Sequence, residues 1–357
     1  MPLSERVWSA LCCPACGAKL ERADAGARCA RCDIEYPRRG ADRPLDLRLR
    51  SPRTQTVHFD LYGSLQPRDE AGPTFGPLKA NDRPEIPEYR DIPIEPLLRN
   101  GNRLNRELFS YFPRSANGGL MLDLGCGNKD FEAISRHTNL EYVGLDYLGD
   151  SPDLLGDAHA LPFRDASFDF ICSFAVLEHL RFPHVAMAEA LRVLKPGGLF
   201  IGTVAFLEPF HMDSYAHLTH LGTYSVLRQA GFEVDVIAPN VEWSALHALA
   251  SMILFPRVPK RIADLFILPT WLLHRLWWKL GHLVDPKPRT SEGYRLPATT
   301  GGFRFVAHRP AVAVEARVNR QYISSVSSSE AESLPTNKER TATDAVHTDP
   351  DSGRAAG

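Results

Sequence analysis

The chain has 357 residues, of which 44% are hydrophobic and 24% are charged, and its formal net charge is −2. This composition is that of a globular protein and excludes a collagen-like or wholly disordered chain. The balanced charge argues against a surface built throughout to hold nucleic acid phosphates, although not against a local basic patch. No basic segment followed by an apolar run opens the chain, so we predict no signal peptide and a reducing, cytoplasmic compartment.

The cysteines are concentrated near the start of the chain, where five of the seven fall within the first 32 residues. They include two CxxC pairs with twelve residues between them, a spacing typical of a tetrahedral Zn²⁺ site. The expected ligands are Cys13, Cys16, Cys29 and Cys32. Because protein would fill all four positions, the zinc would be structural, and Cys12 is left as a surplus thiol. We therefore predict a zinc ribbon over residues 1–50, with a redox dithiol pair or chance clustering as the alternative.

Two further segments are set apart by composition. Nine prolines lie from Pro44 to Pro96, and so proline-rich a stretch has few free amides for a helix or a central strand. We therefore predict that residues 51–100 are a linker. The end of the chain, 311–357, is rich in Ser, Thr, Glu and Asp and poor in large apolar residues, which predicts a disordered tail.

Strand and helix signals alternate from Leu120 onward. Short apolar runs that read MLDLG, EYVGLDY, FDFICSF and GGLFIGTVA are separated by helical patterns, and GGFRFVAHR at 301–309 alternates like a final strand. Alternation of this kind predicts an α/β fold in which a parallel sheet carries helices on its faces. We assign this domain to residues 101–310.

A candidate ligand site lies where the first two of these strands end. Asp123 precedes a turn in which Gly125 and Gly127 let the backbone approach a ligand closely. A nicotinamide-binding fingerprint would need a third glycine at position 130, where the chain has Asp130. Asp146 ends the next strand, and an acidic side chain there can accept both hydroxyls of a ribose. Together these residues predict an adenosine-type ligand at the carboxyl end of the sheet.

These motifs resemble those of the class I methyltransferases that use S-adenosylmethionine. The resemblance is carried, in order, by MLDLGCGNKD, YVGLDYL, GDAHALPFRDASFDFICSFAVLEHL, ALRVLKPGGLFIGTV and VLRQAGFEV. The DAHALPFRDASFDF segment is specific to a branch that includes the C-methyltransferases of quinone biosynthesis and many small-molecule and sugar O-methyltransferases. The resemblance implies a Rossmann-like, seven-stranded α/β sheet with helices on both faces. It also implies methyl transfer from S-adenosylmethionine to a small-molecule, glycan or lipid-linked acceptor.

The resemblance also assigns roles to residues of this chain. The implied cofactor-binding residues are Asp123, Gly125, Gly127, Asp146, Asp157, Ala158 and Phe174. Asp123, Gly125 and Gly127 would hold the methionine moiety, and Asp146 would bind the ribose. Asp157 and Ala158 would contact the adenine edge, and Phe174 would line the methyl-donor pocket. One position departs from the family pattern, because Lys129 stands where the family has the third glycine of the loop.

The reaction implied for such a site is an in-line attack on a sulfonium methyl, in which the cofactor carries the reactive group and the protein positions the partners. A base is needed only if the acceptor is a hydroxyl or an acidic carbon. We predict His179, which follows Glu178, and His211 as catalytic residues on the acceptor side. His217 and His220 are rivals, and any of these histidines could instead have a purely structural role.

The N-terminal cysteine segment has a resemblance of its own, carried by CPACGAKL, CARCDIEYP and the apolar PLDL. It resembles the zinc ribbon of the small activator subunit that partners methyltransferases acting on tRNA and translation factors. An rRNA or tRNA methyltransferase that uses the ribbon for RNA contact is therefore the alternative function, and residues 1–53 do carry 11 Lys/Arg against 7 Asp/Glu.

We disfavour a nucleic acid partner for two reasons. The basic excess of the N-terminal segment is not accompanied by a stripe in which aromatic and basic residues alternate. The domain also has no Asn-Pro-Pro-Tyr-like motif of base methylation. A third hypothesis, a non-catalytic binding protein that kept the fold, is opposed by the intact set of Asp123, Asp146 and Asp157.

An insertion of unusual composition, 240–300, precedes the final strand, and four of the five tryptophans lie within it or at its edge. From Trp271 to Val284 the leucines share one helical face and Arg275, Lys279 and His282 share the other, which predicts a basic amphipathic helix. Proline 269 is expected to break the apolar run, and the insertion offers no 18-residue membrane span. Two roles stay open: a peripheral membrane contact through 243–284, or a lid whose leucines pack over the acceptor pocket.

Overall fold

The computed structural model describes residues 3–311, apart from positions 39, 41–42, 51–52, 54–102, 212–213, 241 and 288–289. All of the described residues belong to one compact unit, Met1–Val312. The predicted linker, 51–100, and the predicted tail, 311–357, fall almost entirely outside the described residues.

Strands of the described residues form two sheets. The small antiparallel sheet comprises β1 (Glu21–Ala23), β2 (Gly26–Cys29) and β3 (Ile34–Pro37). The large sheet comprises β4 (Leu45–Asp46), β5 (Leu120–Leu124), β6 (Glu141–Asp146), β7 (Leu154–Leu155), β8 (Phe168–Phe174), β9 (Leu194–Ala205), β10 (Glu233–Pro239) and β11 (Gly302–His308).

The large sheet has eight strands in the order β10-β11-β9-β8-β5-β6-β7-β4, so the predicted number of seven was wrong. Strands β4 to β9 pair in parallel, and β11 is antiparallel to both of its neighbours. The additional strand is β4, in which Leu45 and Asp46 pair with Leu154 and Leu155 of β7. Two residues are too few to show a periodicity, and their partner strand lies far along the chain, so this pairing could not be predicted from local sequence.

Helices connect and cover these strands. They are α1 (Glu5–Ala10), α2 (Arg106–Phe109), α3 (Glu132–Ser135), α4 (Pro183–Val193), α5 (His220–Ala230), α6 (Ala245–Leu249), α7 (Lys260–Val284) and α8 (Glu292–Ala298), with a 3₁₀ turn at Leu177–His179 and a π turn at Ala250–Leu254. Thr219 caps the N-terminus of α5, because its hydroxyl accepts the Gly222 N–H at 3.0 Å.

Two apolar clusters lie on the two faces of the large sheet, because successive side chains of a strand point to opposite faces. On β5, Leu120, Leu122 and Leu124 belong to the first cluster, whereas Met121 belongs to the second. Residues of α1, α4 and α5 pack in the first cluster, and residues of α2 and α3 pack in the second. Helices therefore cover both faces, as the sequence predicts, and the N-terminal segment shares a core with the α/β domain.

The insertion before β11 is helical, and its main helix, α7, is longer than the predicted helix from Trp271 to Val284. Helix α7 begins at Lys260 and continues through Pro269, so the expected break there was wrong. The proline removes one N–H on an exposed side of the helix, where water can satisfy the carbonyl that loses its partner. Within the described parts of the chain, we find no helix whose length and apolar character would let it cross a membrane.

Candidate functional site

The loop after β5 is shaped by two glycines in the left-handed region, with φ of 77° at Gly125 and 55° at Gly127. A Cβ atom at Gly125 would lie 2.4 Å from Cγ2 of Val176, so only glycine lets the segment after β8 come this close. The Gly125 N–H donates to the Leu145 carbonyl at 2.8 Å, which holds the loop against the end of β6. The loop backbone is thereby exposed at the carboxyl ends of two neighbouring strands.

Lys129 has a left-handed backbone at the position where the resemblance leads us to expect glycine. Its φ is 61°, and its Nζ lies 2.8 Å from Oδ1 of Asp153 and 3.1 Å from Oε1 of Glu132. A left-handed backbone costs a non-glycine residue about 1–2 kcal/mol, and these two ion pairs offset part of that cost. The departure from the family pattern therefore leaves the turn intact.

Asp146 ends β6, and backbone amides fix its carboxylate. The Gly127 N–H donates to Oδ2 at 2.8 Å, and the Leu148 N–H donates to Oδ1 at 3.2 Å. Each carboxylate oxygen keeps a further lone pair. The group can therefore accept two more hydrogen bonds, which is what a ribose diol offers.

Asp157 belongs to a second polar group, which extends further than the sequence indicated. Its Oδ1 accepts the backbone N–H of His159 at 2.9 Å and lies 2.7 Å from His159 Nδ1. The Nε2 of His159 accepts the Phe182 N–H at 3.1 Å, so the ring proton sits on Nδ1 and is donated to Asp157. Burial raises the pKa of Asp157, but the two hydrogen bonds from His159 outweigh it and leave the pKa below its usual value.

A cavity of about 1070 Å³ lies at this edge of the sheet. That volume is at the upper end for small-molecule sites. Of the residues that the sequence singled out, Gly125, Asp146, Asp157, Ala158 and His179 line it. Leu49, Arg53, His159 and Tyr215 line it as well and were not expected. Leu49 lies at the end of the N-terminal segment, and Arg53 lies just after it. The sequence pattern had indicated that this segment is separate from the α/β domain.

Four of the predicted site residues are absent from the described lining of the cavity: Asp123, Gly127, Phe174 and His211. Asp123 is 1% exposed and accepts the Tyr142 hydroxyl at 2.6 Å, and burial raises its pKa to about 6. Phe174 is buried in the second apolar cluster with its ring centroid 4.8 Å from that of Phe131. Strand alternation puts Phe174 on the same face as Phe170, which is why it points into the core.

Glu178, His179 and His211 form a polar cluster beside the cavity. One carboxylate oxygen of the glutamate and one ring nitrogen of each histidine all lie within 4.8 Å of one another. The two imidazole centroids are 4.9 Å apart in an edge-on arrangement. Glu178 is fully buried, and neither of its carboxylate oxygens makes a well-formed hydrogen bond to another described residue. Burial raises the pKa of Glu178 to about 8 and outweighs the opposing effect of nearby backbone amides. The structure thus adds a buried acid to the two predicted histidines.

The rival histidines are engaged in packing. The Nδ1 of His217 lies 2.9 Å from the Phe206 carbonyl. His220 is 9% exposed at the start of α5, with its ring centroid 5.7 Å from that of Phe303. These contacts favour a structural role for both residues.

The four predicted cysteine ligands converge in the N-terminal segment. The sulfurs of Cys13, Cys16, Cys29 and Cys32 all lie within 4.8 Å of one another. The Cys16 and Cys29 sulfurs are 3.6 Å apart, close to the roughly 3.8 Å edge of a tetrahedron with Zn–S bonds of about 2.3 Å. The hydroxyl of Tyr36 lies 3.2 Å from the Cys13 sulfur, where it can donate to a thiolate. This donor set and geometry fit zinc.

Comparison with known proteins identifies a methyltransferase domain in this chain. The family model described as a methyltransferase domain matches residues 122–202. An uncharacterized methyltransferase of Mycobacterium avium is 32% identical over 185 residues, which cover 42% of this chain and 70% of that protein.

Two further relatives match shorter stretches. A probable S-adenosylmethionine-dependent methyltransferase of Mycolicibacterium smegmatis is 31% identical over 32% of this chain and 52% of its own length. The demethylmenaquinone methyltransferase of Renibacterium salmoninarum is 32% identical over 32% of this chain and 53% of its own length. The chain spans about half the length of these two relatives.

Proposed function

Because the chain belongs to the S-adenosylmethionine-dependent methyltransferases, we propose that it methylates a small-molecule, glycan or lipid-linked acceptor in the cavity at the sheet edge. The observation that carries this proposal is the meeting of Gly125, Asp146, Asp157 and Ala158 around one cavity. Ligands of open α/β sheets bind at the carboxyl ends of the strands, which is where these residues lie. A relative named for methylating demethylmenaquinone supports a small, apolar acceptor.

In this proposal, Asp146 would accept the ribose hydroxyls, and Asp157 with Ala158 would hold the adenine edge. The backbone of the glycine loop would hold the methionine end, and the buried pair of Asp123 and Tyr142 lies behind that loop within the sheet. When bound, the cofactor supplies an activated sulfonium methyl. The chain's own contribution is to hold the methyl donor and the acceptor in line and to exclude water.

We assign the acceptor side of the cavity to His179, with His211 and Glu178 behind it. His179 lines the cavity, so it is placed to take the proton of a hydroxyl acceptor. A ring nitrogen of His211 and a carboxyl oxygen of Glu178 lie within 4.8 Å of an imidazole nitrogen of His179, and the His211 ring would accept a hydrogen bond from the imidazolium that forms. An acceptor nitrogen or an already acidic carbon would need this base less.

We further propose that the four cysteines hold one structural Zn²⁺. Four thiolates saturate a tetrahedral ion and leave no position for a substrate, so the metal's contribution would be to fold the N-terminal segment. Cys12, the surplus thiol, is assigned no part in metal binding. It is buried, and burial raises its pKa to about 11. Its backbone N–H donates to the Pro162 carbonyl at 2.9 Å, which joins this segment to the α/β domain.

Labelled methyl transfer tests the proposed acceptor class. The purified chain would be incubated with methyl-labelled S-adenosylmethionine and separate lipid, glycan, small-molecule and RNA fractions, with Asp146→Ala as the matched control of weakened cofactor binding. We expect label in a lipid, glycan or small-molecule fraction, and much less of it with Asp146→Ala when the cofactor is below saturation. Label confined to RNA would instead support the rRNA or tRNA alternative, and a wild type that labels no fraction would contradict the proposal.

A further inference from the structure

Helix α7 is amphipathic in the reverse sense to an ordinary surface helix: its polar side faces the protein. Asp264 lies 3.9 Å from His247, Arg275 pairs with Glu292, and His282 Nδ1 lies 2.9 Å from the Thr290 hydroxyl. Ala263, Ile267 and Trp278 are the buried apolar members of this inner side. The charged and aromatic residues of α7 therefore hold this helix to the rest of the insertion.

The outer side of α7 is apolar from end to end. Its members are Ile262, Leu265, Phe266, Pro269, Leu272, Leu273, Leu276, Trp277, Leu280, Leu283 and Val284, all of them exposed. At 3.6 residues per turn they fall within an arc of about 140°, and no other residue of α7 falls in that arc. We name this surface the α7 stripe. With a rise of 1.5 Å per residue it is about 33 Å long. Apolar residues scattered singly over a surface are ordinary, whereas a contiguous exposed row of this kind marks an interaction site.

Neighbouring residues extend the α7 stripe. Ile253 and Leu254 of the π turn are each 54% exposed, and the ring of Phe255 stacks on Phe266 at 4.8 Å between centroids. The patch is thus continuous across two elements, whose mutual packing is the small cluster of Ala250, Ala263 and Ile267.

The lid role of the insertion is not supported by these contacts. A lid would pack its leucines over the acceptor pocket, but the leucines of α7 are exposed, and no described residue of 240–300 lines the cavity. Among the described residues none covers the apolar stripe, so it is open to an occupant from outside the fold.

Charge points to the nature of that occupant. Among described side chains between positions 243 and 284, the exposed charged ones are Arg257, Arg261 and Lys279, all positive. Arg261 and Lys279 lie eighteen residues apart, five helical turns, so both follow the same border of the stripe. Trp277 forms the opposite border and is 69% exposed. Leucines between a cationic border and a tryptophan match an interfacial helix, whose cations reach anionic headgroups while its aromatic rings sit at headgroup level.

We propose that α7 lies in the plane of an anionic lipid bilayer with its stripe buried in the interface, so that the enzyme works at a membrane surface. The inference rests on the α7 stripe and its charged border, and it holds whichever acceptor is methylated. It favours a lipid-linked acceptor, since such a molecule would be concentrated at the same surface.

Vesicle sedimentation tests the proposal. The full chain would be spun with phosphatidylcholine vesicles and with vesicles that also contain phosphatidylglycerol, at low and high NaCl. We expect binding that requires phosphatidylglycerol and falls with salt. The double change Leu273→Glu and Leu276→Glu should lower the partition coefficient about tenfold or more. Leu221→Glu is the matched control, because this leucine is 52% exposed on α5, outside the insertion, and its variant should bind as the wild type does.

Two further variants separate the parts of the surface. Trp277→Ala should weaken binding, whereas the buried Trp278 supports packing and its change should instead lower thermal stability. Combining Arg261→Gln with Lys279→Gln should remove most of the salt sensitivity. A wild type that stays in the supernatant with every vesicle, or a Leu273→Glu, Leu276→Glu variant that is folded by circular dichroism and binds vesicles like the wild type, would overturn the proposal. A dimer in analytical ultracentrifugation that this variant dissolves, without vesicle binding, would overturn it in favour of a second copy of the chain.

Discussion

Asp146 is the residue on which the cofactor proposal depends most directly. Its two carboxylate oxygens are already oriented by the Gly127 and Leu148 amides, so a diol would meet an acceptor whose rotamer is fixed before binding. Preorganisation of this kind lowers the entropy cost of forming the new hydrogen bonds. The same amides would lose their acceptor if the carboxylate were removed.

We expect Asp146→Ala to weaken binding of S-adenosylmethionine and of its demethylated product by about ten- to a hundredfold, since hydrogen bonds to a charged group are worth about 1.5–3 kcal/mol. Isothermal titration calorimetry would measure the change. Asp146→Asn, which keeps one oxygen acceptor, should lose less. Asp150→Ala removes a nearby, exposed carboxylate and should leave the affinity unchanged. An unaltered dissociation constant for Asp146→Ala would remove the ribose assignment.

Glu178 should make stability depend on pH. Burial raises its pKa to about 8, whereas an unfolded chain has a glutamate pKa near 4.3. Between those values the folded state holds a proton that the unfolded state has released. The stabilisation is therefore complete below about pH 4.3 and is lost as the pH rises towards 8, by at most about 1.4 kcal/mol per unit.

Glu178→Gln should remove this pH dependence, because an amide stays neutral throughout. We expect denaturant unfolding at pH 5 and pH 8 to show a smaller loss of stability for the variant than for the wild type across that interval. Glu21→Gln changes an exposed glutamate and should follow the wild type. If wild type and Glu178→Gln lost stability in parallel, Glu178 would not be a buried, protonated acid.

At the level of secondary-structure elements, local signals were readable and distant ones were not. The Thr219 cap at the start of α5 is a local signal of this kind, because its hydrogen bond reaches only three residues along the chain. The strand β4 was missed because its hydrogen bonds come from β7. The orientation of α7 was left open for a similar reason: periodicity separates two faces, but only the partners of Asp264 and Arg275 show which face turns inward.

The site divides in the same way. The glycine turn and the positions of Asp146 and Asp157 beside it could be predicted, because each motif is contiguous in sequence, whereas their part in cofactor binding stays a prediction. Phe174 was placed at the pocket by analogy, whereas its position on β8 turns it into the core. The environment of Glu178 depends on segments that meet only in the folded chain, so sequence gave it no role.

The cysteine cluster allows a direct test at the level of one element. We expect one zinc per chain in the wild type, measured by elemental analysis, and loss of that zinc in Cys16→Ser, because one of four thiolate ligands is removed. Cys12→Ser is the matched control and should keep its zinc, since this buried thiol lies outside the cluster. Zinc at wild-type stoichiometry in Cys16→Ser, and also in the Cys12→Ser, Cys16→Ser double variant, would refute the ligand set.

At the scale of the whole molecule, the N-terminal segment forms part of the wall of the cavity. Leu49 and Arg53 line the cavity, and the Arg53 guanidinium donates to the carbonyl of Pro14, between the first two cysteines of the cluster, at 2.6 Å. Arg48 donates to the Tyr147 carbonyl at 3.3 Å, directly after Asp146. An ordered cysteine cluster therefore supports one wall of the proposed cofactor site.

This connection predicts that zinc and cofactor binding are coupled. Removing zinc from the wild type with a chelator should loosen the Pro14 carbonyl that holds Arg53, and we expect the affinity for S-adenosylmethionine to fall about tenfold, the equivalent of one charged hydrogen bond. Arg53→Ala should cause a similar loss while retaining zinc. Chelation should then weaken the Arg53→Ala variant little further, because the two changes break the same connection and their effects cannot add.

Arg22→Ala is the matched control for the coupling, since Arg22 lies on β1 and pairs with Glu5. It should keep both its zinc and the wild-type affinity. Circular dichroism melting of each sample would establish that the α/β domain stays folded when zinc is removed. Full additivity of chelation and Arg53→Ala would show that zinc acts on the cavity by another route. An affinity untouched by chelation would show that the N-terminal segment and the cofactor site are independent, because a wall that loses its support must change the free energy of whatever binds against it.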